Sequence, residues 1–133
     1  MADPLHVEVV SADRAVWSGE AVSITARTTE GDLGILPGHS PVLAVLVPSG
    51  VEIATPEGHR EVIAVDGGFV SCAQGRVSIL SEYAALGGEI DAARARSELD
   101  DLLGRVDDHE PDEELQAAIA RAQAQVKAAE RGR

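Results

Sequence analysis

Apolar and polar residues alternate with a period of two from Leu5 to about Leu86. Successive side chains of a β-strand point to opposite faces, so this alternation predicts strands with one buried face. The apolar sides of three such segments are formed by Leu5, Val7 and Val9; by Val22, Ile24 and Ala26; and by Val77, Ile79 and Ser81. In the third segment, Ser78 and Leu80 face away from the apolar side.

Turn-forming residues separate these segments at short intervals. Glycine and proline, flanked by serine, aspartate or glutamine, mark Ser18-Gly19, Gly31-Asp32, Pro48-Ser49-Gly50, Pro56-Glu57-Gly58, Gly67-Gly68 and Gln74-Gly75. Short strands with frequent turns are typical of an antiparallel sandwich or barrel. We therefore predict an antiparallel β-sandwich over residues 1–86.

After Gly87-Gly88 the apolar spacing becomes helical. The first predicted helix follows Asp91, whose carboxylate can cap the free N–H groups of its first turn. The segment that contains this helix brings together, near helical spacing, Ile90, Leu99, Leu102, Leu103 and Val106. After "DDHEP", a second helix carries one narrow stripe of Leu115, Ala118, Ile119, Ala122 and Val126. The chain is thus predicted to be α+β, with the sandwich followed by a two-helix hairpin over residues 87–133.

The second helix is rich in alanine, so the hairpin has few large side chains to bury. Burial stabilises in proportion to the apolar area removed from water, and alanine contributes little of it. We therefore expect the hairpin to dock and undock more easily than the sandwich unfolds. The helix begins with acidic residues and ends with basic ones, which suits the helix dipole.

Composition excludes several classes of function. The 133 residues carry 23 acidic and 11 basic side chains, a formal net charge of -12, and aromatic residues make up 2%. Nucleic acid is therefore not expected as a partner, because phosphates need clustered basic residues and bases need aromatic platforms. The one cysteine, Cys72, excludes a disulfide framework and is expected to be a buried hydrophobe. No signal peptide or membrane span is visible, so we expect a cytoplasmic protein that meets a membrane only through a partner.

The segment "GDLGILPGHSP" (Gly31 to Pro41) resembles a phosphate-binding loop only in its glycines. A P-loop requires a lysine after them, and the chain's single lysine is Lys127. Leu36-Pro37-Gly38-His39 instead has the proline and glycine positions of a type II turn. Pro41 favours an extended residue before it and so the start of a strand.

Candidate catalytic groups do not assemble in this sequence. Its histidines, His6, His39, His59 and His109, lack metal-ligand spacing, so no metal site is expected. No nucleophile elbow supports a Ser-His-Asp triad, and Asp66-Gly67-Gly68 is interpreted as a hairpin turn rather than an acid catalyst. We predict that the chain is not an enzyme by itself.

Four segments together resemble the epsilon subunit of the F-type ATP synthase. They are "VEVVSADRAVWSGEA", "EGDLGILPGHSPVLAVLVPSGV", "AVDGGFVSCAQGRVSILSE" and "EIDAARA", in the family's order and nearly end to end. The resemblance implies a non-catalytic rotor subunit whose sandwich joins the gamma subunit to the membrane ring of c subunits and couples proton flow to ATP synthesis. It implies a peripheral position on the cytoplasmic side of the plasma membrane, and a helical hairpin that inhibits ATP hydrolysis.

The resemblance also implies where the sandwich meets its partners. The turn around Glu30, Gly31 and Asp32 corresponds to the end that faces the c ring, and His39 to the family's histidine near the gamma and ring contact. Stiff turns suit such a joint because a preorganised loop loses less entropy on docking. The alternative interpretation is that these residues simply end strands.

Two further sites in the hairpin follow from the resemblance. Some family members bind ATP through Ile/Leu-Asp-x-x-Arg-Ala, matched here by Ile90, Asp91, Arg94 and Ala95, with Arg121 as a basic residue from the second helix. No cofactor is required; ATP is expected only as a regulatory ligand. When the hairpin extends, the basic residues of its second helix are expected to meet the alpha and beta subunits; these are Arg121, Lys127, Arg131 and Arg133.

Simpler interpretations of these hairpin residues stay open. Asp91 is already a good helix cap, Arg94 can be a surface charge, and the basic residues can complement the end of a helix. The main alternative function is a nucleotide-sensing domain, in which the sandwich is a scaffold and the hairpin binds a small molecule.

Overall fold

The computed structural model describes residues 3–106 and 111–131. Within them, ten strands precede two helices. The strands are β1 (Leu5–Ser11), β2 (Ala15–Ala21), β3 (Ser23–Thr28), β4 (Gly31–Ile35), β5 (Val42–Leu46), β6 (Ser49–Ala54), β7 (Arg60–Val65), β8 (Gly68–Ala73), β9 (Arg76–Ser81) and β10 (Ala84–Leu86). A 3-10 turn (Gly87–Glu89) leads to α1 (Ala92–Gly104) and α2 (Glu113–Arg131).

The strands form one hydrogen-bonded ladder in the order β10-β7-β6-β3-β5-β8-β9-β1-β2, with β4 paired to β3. The pairings are antiparallel except that of β1 with β9. β3 and β5 meet at the single pair Thr28 and Leu46, and this narrow junction divides the ladder into two halves. The inward side chains of both halves share one core, so the predicted sandwich and helical hairpin are confirmed.

Alternating burial along the strands confirms most of the period-two pattern. Leu5, Val7 and Val9 are buried in β1, and Val77 and Ile79 in β9, where Leu80 points outward. The prediction for Val22 is wrong: this residue is 42% exposed and lies between β2 and β3 rather than on the apolar side of β3. The chain bends there, so the alternation begins only at Ser23.

The segment Asp66-Gly67-Gly68 is not a hairpin turn, contrary to the prediction. It joins β7 to β8, and these strands pair with other strands rather than with each other. Both glycines have positive φ, +75° at Gly67 and +104° at Gly68. A Cβ at Gly68 would lie 1.9 Å from the Leu80 carbonyl oxygen, so only glycine lets the chain cross between the two halves here.

α2 lies on the outer side of β6 and β7, and α1 packs against α2. Asp91 caps α1 as predicted, because its carboxylate accepts a hydrogen bond from the Arg94 N–H at 3.1 Å. The predicted apolar positions Leu103 and Val106 are exposed, since they face away from α2 and the sandwich. The buried side of α2 is wider than the predicted stripe and consists of Ala122, Ala124, Val126, Ala128 and Ala129.

This docking buries both faces of β7. Ile63 and Val65 point into the sandwich core, while Val62 and Ala64 contact the helices together with Ala85. The boundary predicted at residue 86 coincides with the end of β10.

Candidate functional site

The tip of the β3–β4 hairpin holds three of the residues that the resemblance assigns to the ring contact. Thr28 stiffens it, because its hydroxyl donates to the Gly31 carbonyl at 2.8 Å and accepts from the Glu30 N–H at 3.1 Å. Gly31 has φ +113°, which favours glycine. Asp32 pairs with Arg27 at 3.0 Å, and both side chains are more than 60% exposed. The acidic tip, residues 30–32, is therefore a rigid turn that presents charged side chains to solvent.

His39 lies in a separate turn. The His39 N–H donates to the Leu36 carbonyl at 3.0 Å, and Gly38 has φ +87°, as the predicted type II turn requires. The β3–β4 register places Gly31 opposite Thr28 and Ile35 opposite Ile24. The two turns therefore lie at opposite ends of β4, about 13 Å apart at 3.3 Å per residue. His39 does not join the acidic tip in one cluster.

An apolar face, which the sequence analysis did not identify, covers the outer side of β5, β8 and β9. It consists of Leu43, Val45, Phe69 and Leu80, which are 72%, 45%, 51% and 52% exposed. Val45 lies opposite Phe69, and Phe69 lies opposite Leu80, so the side chains form a row across three strands. The sequence signal was the outward position of large apolar residues on successive strands. Contiguous exposed apolar surface of this kind marks an interaction site.

The apolar face is continuous with the hairpin tip. A groove of about 360 Å³ is lined by Glu30, Gly31 and Asp32 on one side and by Leu43 and Val45 on the other. The junction of β3 with β5 lies directly behind it, where the Thr29 N–H donates to the Val45 carbonyl at 3.0 Å. The acidic tip and the apolar face therefore form one connected surface on a rigid base.

The predicted nucleotide-binding residues line a cavity of about 520 Å³ at the start of α1. Ile90, Asp91, Arg94 and Ala95 come together there, with Gln125 from α2. Arg121 is not among the lining residues. Its guanidinium instead pairs with Asp66 at 2.9 Å, on the side of α2 that meets the β7–β8 connection.

The charges in this cavity do not favour a phosphate ligand. Its two arginines already have partners, since Arg94 pairs with Glu98 at 3.4 Å and Arg14 with Glu89 at 3.2 Å. Asp13 and Asp91 add two further carboxylates to the lining. A phosphate would have to displace these acids from the guanidinium groups. ATP binding here stays a prediction.

The basic residues assigned to the inhibitory helix differ in their surroundings. Arg121 pairs with Asp66, and Lys127 pairs with Glu52 at 3.2 Å and donates to the Gly50 carbonyl at 3.2 Å. Arg131 is exposed at the end of α2. Arg133 and His109 lie outside the described residues. Two of the four assigned cations are thus held by the sandwich in the docked hairpin.

The described residues hold no group of three or more histidine, cysteine or acidic side chains placed to bind a metal ion. Cys72 is buried, as predicted, and this burial raises the pKa of its thiol. In residues 3–106 and 111–131, neither helix combines the length and apolar character needed to cross a membrane.

Comparison with known proteins agrees with the resemblance in the sequence. A family model described as the β-sandwich domain of the ATP synthase delta/epsilon chain matches residues 4–87. The ATP synthase epsilon chain of Cutibacterium acnes is 48% identical over 134 residues, covering 95% of this chain and 92% of the relative. That of Streptomyces coelicolor is 48% identical over 124 residues, covering 91% of this chain and 100% of the relative.

Solved structures agree as well. A chain in the Euglena gracilis mitochondrial ATP synthase superposes with a TM-score of 0.73 at 25% identity, covering 92% of this chain and 78% of that one. A chain in the central stalk and c-ring structure of the Tetrahymena thermophila enzyme, at 19% identity and a TM-score of 0.59, shares the fold. The chain therefore belongs to the ATP synthase epsilon-chain family.

Proposed function

We propose that this chain is a non-catalytic subunit of the central stalk that joins the gamma subunit to the c ring and restrains ATP hydrolysis through its hairpin. The observation that carries the first part is the connected surface of the apolar face and the acidic tip. Leu43, Val45, Phe69 and Leu80 are far larger and more apolar than a freely solvated strand face requires.

The two parts of this surface suit two different partners. The apolar face offers a flat, three-strand area for an elongated shaft such as the gamma subunit. The tip offers the charged side chains of Glu30 and Asp32 on a turn fixed by Thr28, which suits contact with polar loops of the ring. Joining both on one rigid sandwich allows torque to pass between the partners. In this arrangement the subunit lies at the cytoplasmic side of the membrane and meets it only through the complex.

Replacing the centre of the apolar face is expected to weaken assembly. A Phe69→Ser/Leu80→Ser variant exposes no buried core atom but removes two large anchors from the proposed interface. Central anchors of this kind are worth about 2 kcal/mol together, or roughly a 30-fold loss of affinity for the gamma subunit. Titration of the purified chain against the gamma subunit measures this loss.

Val22→Ser is the matched control for this experiment. Val22 is also an exposed apolar residue, 42% accessible, but it lies between β2 and β3 and outside the apolar face. Its replacement is expected to leave gamma binding unchanged. Equal affinity of the double variant and the wild type would exclude this face as the gamma contact. A stable free chain that binds a nucleotide but no gamma subunit would favour the nucleotide-sensing alternative.

The second part of the proposal concerns the hairpin. Its α2 carries Arg121, Lys127 and Arg131 in a chain that is otherwise acidic, and it lies on the outside of the sandwich. A tethered helix has a high effective concentration near the catalytic head, so modest affinity is enough to obstruct rotation.

Removing the hairpin is expected to release ATP hydrolysis. A complex whose chain ends after Gly88 should hydrolyse ATP several-fold faster than the intact complex while retaining its subunits. The measurement is the hydrolysis rate of complexes matched for epsilon content. Unchanged hydrolysis would contradict the inhibition of ATP hydrolysis by the hairpin (the proposed brake) and leave the assembly role intact.

A further inference from the structure

We infer that the docked hairpin is held by an electrostatic latch made of two ion pairs, Arg121 with Asp66 and Lys127 with Glu52. Both cations belong to α2 and both carboxylates to the sandwich, at distances of 2.9 and 3.2 Å. The acidic side chains are 33% and 22% exposed, so water only partly screens them. The latch joins residues 55 and 75 positions apart in sequence, and it exists only while α2 lies on the sandwich.

The surroundings of Lys127 show a fitted contact. Gly50 leaves room for the lysine stem: a Cβ there would lie 3.0 Å from Lys127 Cδ. The ammonium group then reaches both the Gly50 carbonyl and the Glu52 carboxylate. Glu52 also pairs with Arg60 at 3.2 Å, which orients the acid within the sandwich before the helix arrives. A half-buried carboxylate with a preset orientation loses less entropy on pairing.

These pairs matter because the apolar contact beside them is weak. Of the five buried residues in the described helix α2, four are alanines and one is Val126. Alanine contributes little apolar area, so the ion pairs form a larger share of the docking free energy than they would on a leucine-rich helix. A single surface ion pair shifts an equilibrium by about 1.5- to 5-fold. The two together are expected to shift docking by about 2- to 25-fold.

The latch bears on regulation in a way that rests on the proposed brake. Arg121 and Lys127 are among the cations proposed to meet the catalytic head when the hairpin extends. The sandwich therefore competes with the head for the same charges, and release exchanges one set of ion pairs for another. Neutralising the sandwich acids should favour the extended helix while leaving its cations in place.

Amide hydrogen exchange of the full-length chain tests the latch directly. In a Glu52→Gln/Asp66→Asn variant, the amides of α2 between Ala122 and Ala129 are expected to exchange about 2- to 25-fold faster than in the wild type. Glu8→Gln/Glu57→Gln is the matched control, because both acids are exposed, lie outside the latch and change the net charge by the same two units when they are neutralised. Wild-type exchange of α2 in the double variant would overturn the latch.

A salt titration of the wild-type chain gives the same answer without a substitution. Raising NaCl from about 0.05 M to about 0.5 M shortens the screening length and should speed exchange in α2 relative to β9. Equal salt response of α2 and β9 would also contradict the latch.

Hydrolysis by the assembled complex separates the latch from the brake. With both correct, the Glu52→Gln/Asp66→Asn complex hydrolyses ATP more slowly than the wild type, since α2 is released with its cations intact. Faster exchange with unchanged hydrolysis would support the latch and contradict the brake. Unchanged exchange overturns the latch whatever the hydrolysis rate.

Discussion

A Gly68→Ala variant is expected to lose about 3–5 kcal/mol of the free energy of unfolding, a large share of the roughly 5–15 kcal/mol that keeps a domain folded. The reason is steric. Gly68 has φ +104°, and a Cβ there would lie 1.9 Å from the Leu80 carbonyl oxygen and 2.8 Å from the Ser81 Cα. Both contacts are with backbone atoms of a central strand, so neither can move without breaking the ladder between β8 and β9.

Gly75→Ala separates this overlap from simple backbone strain. Gly75 also has positive φ, +77°, but nothing lies within 4 Å of the position of its Cβ. Its replacement is expected to lower the free energy of unfolding by only about 1 kcal/mol, which is the cost of holding a residue with a Cβ in the left-handed conformation. Urea unfolding followed by the fluorescence of the single tryptophan, Trp17, compares both variants. Equal losses of the free energy of unfolding at the two sites would show that the positive φ alone, rather than the overlap with the Leu80 backbone, requires glycine at position 68.

Local chemistry made the strands, the type II turn and the helix cap predictable. The alternation of apolar and polar residues is visible within a single strand, and Asp91 caps a helix that starts beside it. Strand partners are different, because pairing joins distant segments. Gly67-Gly68 looks like a hairpin turn from its sequence, yet β7 and β8 lie in different halves of the ladder. The residues of a turn do not specify with which distant strands the two strands beside it pair.

The docking surface of the hairpin left a weaker signal. The run Val62-Ile63-Ala64-Val65 is apolar without alternation, a pattern typical of a strand buried on both faces. It indicates a covering layer outside β7 but does not identify α2 as that layer. The placement of Arg121 beside Asp66, rather than beside Arg94, depends on the angle at which α2 lies across the sheet, and helical spacing alone does not fix that angle.

The resemblance located the acidic tip but not the apolar face. Glu30 and Asp32 were assigned to the ring contact because their segment resembles the family in its distinctive glycine and proline spacing. Phe69 and Leu80 lie on strands whose inward residues form the alternating apolar pattern, and their common row appears only when β8 and β9 are paired. A site built across strands therefore required the register, whereas a site within one turn did not.

Overpacking the contact between α2 and the sandwich is expected to detach the hairpin. Ala128 and Ala129 are both fully buried, and an Ala128→Leu/Ala129→Leu variant adds six carbon atoms where helix and sheet touch. Each overpacked side chain destabilises the docked state by about 1–3 kcal/mol. The two together outweigh the small stabilisation that a contact made mostly of alanines provides. Most of the stability of a helix in a protein comes from packing its buried face, so the amides of an undocked α2 should lose protection from hydrogen exchange.

The damage should stop at the hairpin, because α2 can leave without disturbing the inner face of β7. Ile63 and Val65 belong to the core, while Val62 and Ala64 only meet the helices. The urea midpoint reported by Trp17 is therefore expected to stay near the wild-type value while α2 exchanges freely. Gln123→Leu, an exposed position on the same helix, adds apolar volume outside the contact and should change neither quantity. A fall of the Trp17 midpoint in step with the loss of α2 protection would mean that sandwich and hairpin unfold as one unit, and the hairpin could then not serve as a separately moving brake.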